Sequence, residues 1–262
     1  MITLKSPREI GLVGEAGRLV AEAHRMIRSS LQPGAEVALL DQLIHEFLVL
    51  QGSEPVFKLT GGGNPFPCST SFSLNDELVG GVPRNRKLRE GDLLTVDIGC
   101  RRNGWCADAA RSYPIGNVNP KNQKLLKFAK SLLDFAIEEL EVAKTWAEVA
   151  WGMSALVEES EFSLVSGLMG HGVGRELHED PQVCFSGEEC LGKRDFPLEA
   201  GLVFTIEPVV VAHATQVKRA ANPWTLLTAD GSTGVYFEQT VAITENGVKV
   251  LTGGMETNGF SD

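Results

Sequence analysis

The stretch Leu93–Arg111 constrains the fold of this chain most, because it combines a hairpin signal with two acidic residues in apolar surroundings. Leu93–Gly99 is a short apolar run that contains Asp97, and the returning segment contains Asp108. Between them, Asn103-Gly104 is the strongest two-residue hairpin signal. The stretch therefore predicts a β-hairpin with one carboxylate on each strand.

The length of the turn decides whether the two carboxylates share a face of this hairpin. A two-residue turn places Asp97 opposite Ala110 and Asp108 opposite Gly99, so the carboxylates lie diagonally on one face, with about 7–8 Å between Cα atoms. A four-residue loop would place them directly opposite each other, whereas a three-residue loop would place them on opposite faces. In the two registers that pair them, the buried carboxylates repel each other and need protons or cations between them.

The composition excludes several classes of protein. The 262 residues are 43% hydrophobic and 22% charged, which is enough to bury a sizeable core. The net charge of -10, without a long run of Lys or Arg, counts against nucleic acid as a partner. The N-terminus lacks an apolar signal core and no stretch approaches the ~20 apolar residues of a membrane span, so we expect a cytoplasmic protein with no membrane partner. The five cysteines form no C-x-x-C pair and are expected to be reduced thiols.

Four helices are predicted from capping signals and apolar spacing. Ser6-Pro7-Arg8-Glu9 is a capping box, and its helix should end near Leu31. The other three helices should span about Glu36–Leu50, Asn119–Leu140 and Thr145–Glu159. In the second helix, the inner side is expected to consist of Leu39, Leu40, Leu43, Ile44 and Phe47.

Strands are predicted on both sides of the later helices. They are Ser69–Leu74, a remnant at Leu78–Pro83, the hairpin, Gly170–Gly174, Gly201–Val211 and Gly234–Ile243. Helix pairs packed on one side of a mostly antiparallel sheet make an α+β architecture. Since no linker divides the chain, we expect one catalytic domain over residues 1–262.

Three further residues could join the two aspartates as ligands. His171 lies between glycines in MGHGVG, and Glu207 and Glu238 are carboxylates within the apolar segments GLVFTIEPVV and GVYFEQTVAI. Each carboxylate alone could form a structural ion pair, but four of them cannot pair among themselves. An oxygen-rich set with one imidazole suits Mn, Co, Fe or Zn, and bridging carboxylates can hold two such ions about 3.5–4 Å apart.

The series Asp97, Asp108, His171, Glu207 and Glu238 resembles the type I methionine aminopeptidases, which have the pita-bread fold with two pseudo-symmetric halves. The resemblance covers nearly the whole chain and includes the motifs VDIG, GHGVG, LHEDPQV, TIEP and FEQT. It implies that these five residues bind two divalent metal ions, that Glu207 is the general base, and that His178 donates to the carbonyl oxygen. It also implies a monomer that removes the N-terminal residue of a peptide or nascent protein.

The chain departs from this family around the substrate. Type I enzymes have a histidine that contacts the scissile amide at the position of Gly80. We therefore expect slow turnover of ordinary peptides and partial recovery in Gly80→His. The residues that match the family's methionine pocket are Thr60, Gly63, Phe66, Leu177 and Trp224. Because Gly63 and Leu177 replace rings, we expect a pocket wider than that of a strict methionine aminopeptidase.

Two alternatives stay open at this point. One is a specialised amidase or X-Pro peptidase of the same fold, although the chain lacks the separate N-terminal domain typical of prolidase-like relatives. The other is a non-catalytic binding protein that kept the fold, although such a protein has no need for buried carboxylates that repel each other.

Overall fold

The computed structural model describes residues 1–59, 64–213 and 216–255. Its helices are α1 (Pro7–Ile27), α2 (Val37–Leu50), α3 (Pro120–Glu139) and α4 (Trp146–Glu158), with 3₁₀ turns at Arg28–Ser30, Phe57–Leu59 and Gly192–Arg194. Its strands are β1 (Glu54–Pro55), β2 (Thr70–Leu74), β3 (Glu77–Val79), β4 (Leu93–Arg102), β5 (Trp105–Pro114), β6 (Ser163–Leu164), β7 (Gly170–Gly172), β8 (Glu179–Val183), β9 (Val203–Ile206), β10 (Val210–Val211), β11 (Val217–Arg219), β12 (Leu226–Thr228), β13 (Gly234–Val235), β14 (Gln239–Thr244) and β15 (Gly247–Val250).

The strands form two larger and two smaller sheets, and every pairing between them is antiparallel. One larger sheet has the order β1-β4-β2, with β5 on the other edge of β4. The other has the order β15-β14-β9-β7-β8. The smaller sheets have the orders β13-β10-β6 and β11-β12-β3. The α+β prediction is confirmed, because helices pack on antiparallel sheets in both halves of the chain.

The β4–β5 hairpin has the register that a two-residue turn predicts. Asp97 lies opposite Ala110, and Gly99 lies opposite Asp108. Asn103 and Gly104 have positive φ values of 51° and 76°, which a type I′ turn requires. The two carboxylates therefore lie diagonally on one face, as the two-residue turn requires.

The four predicted helices are present with ends close to the expected ones. Ser6 and Glu9 form the predicted capping box at the start of α1. The helices α1 and α2 pack in one apolar core with the hairpin, while α3 and α4 pack in a second core with β9 and β14. None of the helices in the described ranges has the length and apolar composition of a membrane span.

The inner face of α2 differs from the prediction at two positions. Leu39 and Leu43 are 54% and 46% exposed, whereas Val37, Leu40, Ile44 and Leu48 are buried. Apolar spacing defines a stripe along a helix, but packing against β1 and β2 decides which edge of that stripe is covered. The helix is therefore rotated so that the Leu39–Leu43 edge faces outward.

The prediction of five reduced thiols is wrong for one pair. Cys184 and Cys190 form a disulfide, and the short loop between them brings the two sulfur atoms together. Cys68, Cys100 and Cys106 are free. An odd cysteine count gave no indication of this pair, because pairing depends on how the loop folds back.

Two of the predicted long strands are interrupted next to their glutamates. The segment around Glu207 divides into β9 and β10, because Pro208 lacks the N–H group that a continuous strand uses. The segment around Glu238 divides into β13 and β14, and the N–H of Glu238 donates to Ala110 O at 2.9 Å on the hairpin. Both glutamates therefore lie at strand ends, directed toward the hairpin half.

The buried His24 of α1 should make the protein less stable as the pH falls from 6.5 to 4. Its Nδ1 lies 2.9 Å from the Tyr113 hydroxyl and its Nε2 lies 3.0 Å from Ala109 O. Burial lowers the pKa of His24 from 6.5 to about 4. Over this range the unfolded chain binds the proton and the folded chain does not, which costs about 3 kcal/mol of unfolding free energy.

Urea unfolding of the chelator-treated protein at several pH values checks this prediction. In His24→Gln, the free energy of unfolding should fall by about 3 kcal/mol less than in wild type over the same range. His213→Gln alters an exposed histidine and serves as the control. Parallel pH curves for wild type and His24→Gln would show that His24 does not titrate differently on folding.

Candidate functional site

All five predicted ligands, together with His178, line one open pocket of about 730 Å³. The pocket lies between the hairpin half and the second half of the chain, so each half supplies part of it. The five predicted ligands are Asp97 on β4, Asp108 on β5, His171 on β7, Glu207 directly after β9 and Glu238 directly before β14.

Hydrogen bonds between the halves align the carboxylates. The Thr240 hydroxyl donates to Asp108 O at 2.7 Å, and the Asp108 N–H is 3.3 Å from the same hydroxyl oxygen. Both residues are buried, so these bonds are shielded from water. Since Glu238 lies two residues before Thr240, the two bonds between Thr240 and Asp108 hold the Asp108 and Glu238 carboxylates in one cluster.

His171 is placed as a ligand would be. Its Nε2 lies 3.4 Å from Asp108 Oδ2 and 3.7 Å from Glu207 Oε1. Its Nδ1 lies 3.2 Å from Gly172 O, and the Nδ1–H group donates to this carbonyl. The bond orients the ring so that Nε2 is directed toward the carboxylates. Burial lowers the pKa of His171, but the nearby Asp108 and Glu207 outweigh it and raise the pKa to about 9. The site therefore favours positive charge at this position.

The carboxylates are strongly perturbed by one another. Burial, followed by repulsion from Asp108 and Glu207, raises the pKa of Asp97 well above its usual range. Burial, followed by repulsion from Glu207 and Asp108, does the same to the pKa of Glu238. Burial raises the pKa of Glu207 to about 7, against the opposing effect of His171. Such a cluster keeps its negative charges only when a cation compensates them.

The donor atoms also fit a cation by position. Asp108, His171 and Glu238 each offer one ligand atom, and these three atoms lie within 4.8 Å of one another. Asp97 Oδ1 is buried and has no hydrogen-bond partner among the described residues. Buried acceptors are nearly always satisfied, so this oxygen indicates a missing positive partner. The set of carboxylate oxygens with one imidazole nitrogen suits a divalent transition metal.

Hydroxyl donors to the carboxylates were missed by the sequence analysis. The Thr205 hydroxyl donates to Glu207 Oε1 at 2.8 Å and accepts from the His171 N–H at 3.0 Å. The Tyr236 hydroxyl donates to Asp97 Oδ2 at 3.1 Å. The same-face spacing of Thr205 and Glu207 on one strand could have indicated the first bond. The second joins residues far apart in sequence and left no local pattern.

His178 lies at the mouth of the pocket, against the metal-ligand candidate His171. The two imidazole rings meet edge to face with centroids 4.3 Å apart. Partial burial and the charge of His171 lower the pKa of His178. The turn that carries it is braced by Glu179, which accepts from the Glu176 N–H at 3.1 Å and pairs with the buried Lys5 at 2.7 Å. His178 is thus an exposed imidazole beside His171, on a turn that other contacts hold in place.

The predicted substrate-pocket residues are brought together only in part. Phe66 packs edge to face against both Phe57 and Trp224, with ring centroids 6.3 Å apart in each pair. Leu177 is 2% exposed and belongs to the core around α1 and α2. Thr60 and Gly63 lie outside the described residues. These three rings form one aromatic cluster, and Phe57 is the member that lines the pocket with the predicted ligands.

Gly80 does not have room for the histidine that the sequence comparison placed there. Its φ is +66°, and a Cβ atom at this position would lie 2.3 Å from Trp224 O. The adjacent Gly81 is equally close to Phe72 O, at 2.2 Å. The backbone passes between two carbonyl groups, so the recovery of rate expected in Gly80→His is no longer expected.

Substitutions of Gly80 should lower stability and leave the rate on methionyl peptides without gain. Gly80→Ala and Gly80→His should each destabilise by roughly 1–3 kcal/mol, through the positive φ and the contact with Trp224 O. Gly231→Ala separates the two causes, because Gly231 has φ +77° with nothing within 4 Å of its Cβ position. In urea unfolding, Gly231→Ala should lower the free energy of unfolding by less than Gly80→Ala does. A stable Gly80→His with increased kcat/KM would contradict this geometry.

The chain is similar to known metallopeptidases over nearly its whole length. The profile of metallopeptidase family M24 matches residues 11–245. The chain is 40% identical over 252 residues to methionine aminopeptidase 1 of Bacillus subtilis, covering 96% of this chain and 99% of that one. It is similar to the crystal structure of methionine aminopeptidase from Thermotoga maritima, with 34% identity, a TM-score of 0.89 and coverage of 96% and 99%. Prolidase from Pyrococcus furiosus shares the fold at 24% identity and a TM-score of 0.75, covering 96% of this chain and 65% of that one.

Proposed function

The chain belongs to metallopeptidase family M24, and we propose that it binds two divalent ions in this pocket and removes N-terminal methionine from peptides and nascent proteins. It has the pita-bread fold and is a metal-dependent aminopeptidase, a hydrolase. The observation that carries the proposal is the cluster of four buried or half-buried carboxylates and one imidazole at the floor of an open pocket.

The proposed ligands are Asp97, Asp108, His171, Glu207 and Glu238. Their oxygen-rich composition suits Mn, Co, Fe or Zn, and acidic residues between two ions can bridge them. Ions bound there would lower the pKa of a water molecule and polarise the scissile carbonyl group. The chain's own residues then have to orient the substrate and move the proton.

Glu207 is the proposed general base. Thr205 holds its Oε1, and a carboxylate held in this way can accept a proton from a water molecule and release it again. Its carboxylate accepts the proton of the attacking water and delivers it to the amide nitrogen of the departing peptide. His178 donates a hydrogen bond to the carbonyl oxygen, where negative charge develops.

A bound ion would also account for the removal of the first residue alone. A free N-terminal amine would occupy an open position on that ion, whereas an internal peptide bond has no such group. We propose that Phe66 and Trp224, which pack against each other, contact the first side chain together with Gly80 and Leu177. We further propose that residues 1–262 act as one catalytic domain and as a monomer.

The alternatives are not favoured. The X-Pro peptidase reading has support only from the fold, because the prolidase similarity is 24% identical. A binding protein without catalysis does not account for four carboxylates and a histidine converging with an unsatisfied Asp97 oxygen.

A panel of tripeptides tests the proposal. With Mn²⁺ or Co²⁺ added, Met-Ala-Ser should lose its first residue, and its N-acetylated form should not be cleaved. Peptides with Leu or Phe first measure how wide the pocket is, and X-Pro dipeptides test the alternative. Release of no first residue with either ion, or cleavage of the acetylated peptide at an equal rate, would overturn the proposal.

A further inference from the structure

The Asp97 side chain is held from one side only. The Tyr236 hydroxyl donates to its Oδ2 at 3.1 Å, while its Oδ1 is buried without a hydrogen-bond partner among the described residues. We propose that Tyr236 is a positioning residue, which fixes the Asp97 carboxylate so that Oδ1 is presented to a divalent ion. This inference rests on the proposed function.

The tyrosine is itself anchored to the hairpin that carries Asp97. Its N–H donates to Ser112 Oγ at 3.1 Å, and the Ser112 hydroxyl donates to Tyr236 O at 2.8 Å. Thr95 Oγ1 lies 2.7 Å from Ser112 Oγ and continues this buried network across β4. A residue of the second half is thereby held in register with Asp97 on the first.

The ring leaves the hydroxyl little freedom. Tyr236 is 1% exposed and packs in an apolar cluster that includes Leu78, Val209 and Val211. The ring is therefore held in place by its neighbours and keeps the hydroxyl directed at Asp97. A rigid donor of this kind is what orients a ligating carboxylate against repulsion from its neighbours.

The bond also separates the tasks of the two Asp97 oxygens. One accepts from the phenol, and the other keeps all its lone pairs for a cation. Without the hydroxyl, both oxygens would be unsatisfied and the carboxylate could rotate among several arrangements. An ion held by Asp97 should then bind less tightly, since loss of a partner that orients a ligand typically costs 10–100-fold in metal affinity.

Isothermal titration with Mn²⁺ of chelator-treated protein tests the inference in Tyr236→Phe. This variant keeps the ring in its apolar cluster and removes only the hydroxyl. Tyr113→Phe is the matched control, because Tyr113 is the other tyrosine of the chain, is also buried, and bonds to His24 instead of a proposed ligand. We expect 10–100-fold weaker Mn²⁺ binding in Tyr236→Phe and unchanged binding in Tyr113→Phe.

The outcomes distinguish this inference from the proposed function. Wild type that binds no Mn²⁺ would overturn both. Wild type that binds Mn²⁺ with an affinity equal to that of Tyr236→Phe would overturn only the role of Tyr236. A lower melting temperature with unchanged Mn²⁺ affinity would show a purely structural tyrosine and would also overturn it. A changed Mn²⁺ electron paramagnetic resonance spectrum in Tyr236→Phe alone would support it.

Discussion

Replacing Glu207 with glutamine should lower kcat/KM on a methionyl peptide by about 10²–10⁴-fold while the chain stays folded. Glutamine has nearly the same shape, and its amide oxygen can still accept from the Thr205 hydroxyl that now holds Glu207 Oε1 at 2.8 Å. An amide cannot accept the proton of the attacking water, however. At Mn²⁺ concentrations that saturate each protein, the loss should therefore be found in kcat rather than in stability, while weaker binding by the amide would appear as a higher Mn²⁺ concentration needed for saturation.

Steady-state kinetics with Mn²⁺ added, together with thermal unfolding, measures both quantities. Glu188→Gln is the matched control, because Glu188 is an exposed glutamate outside the pocket. It should leave kcat/KM within about twofold of wild type. A Glu207→Gln variant with wild-type kcat would remove Glu207 from the proton transfer and require a different base.

The second large effect concerns stability. Divalent ion at 1,000 times its Kd should raise the free energy of unfolding by about 4 kcal/mol for each site that it fills, because it binds the folded chain alone. For a chain of this size that corresponds to roughly 8–16 °C in Tm for each bound ion. In Asp108→Asn most of this gain should disappear, since the side chain that lies 3.4 Å from His171 Nε2 loses its charge.

When both proteins are treated with chelator, Asp108→Asn should melt close to wild type. The substitution removes a charge that repels Asp97, Glu207 and Glu238, but it also removes the partner of His171. Asp134→Asn changes a partly exposed aspartate on α3 and should keep the full gain with ion. Equal ion-induced gains in Asp108→Asn and wild type would contradict the assignment of Asp108 as a ligand.

The features that sequence predicted best were those set by local periodicity. Asn103-Gly104 predicted the hairpin but left three loop lengths open, and the two-residue turn of the structure places Asp97 and Asp108 on a shared face. Glu207 and Glu238 were recognisable because a charge within an apolar run needs a partner. Their exact positions at strand ends depend on Pro208 and on the bond from Glu238 N–H to Ala110 O.

The features that sequence could not predict depend on contacts between distant segments. The hydroxyl of Tyr236 and the carboxylate of Asp97 are 139 positions apart, and only the fold brings them together. In the sequence, Gly80 differs from the family pattern only by lacking a histidine side chain. In the structure, Trp224 O lies where a Cβ atom at this position would be. Leu39 was expected to be buried, because apolar spacing shows that α2 has an apolar stripe but does not show how the helix is rotated against the sheet.

The metal content of active protein shows whether hydrolysis depends on two ions bound at this site. Chelator-treated protein should be titrated with Mn²⁺ while bound ion and the hydrolysis of Met-Ala-Ser are measured on the same samples. We expect no hydrolysis without ion, activity that rises with binding, and saturation at two ions per chain. Asp108→Asn should lose both the binding and the hydrolysis. Hydrolysis at full rate by protein shown to be free of metal, or no stoichiometric binding at saturating Mn²⁺, would contradict this expectation.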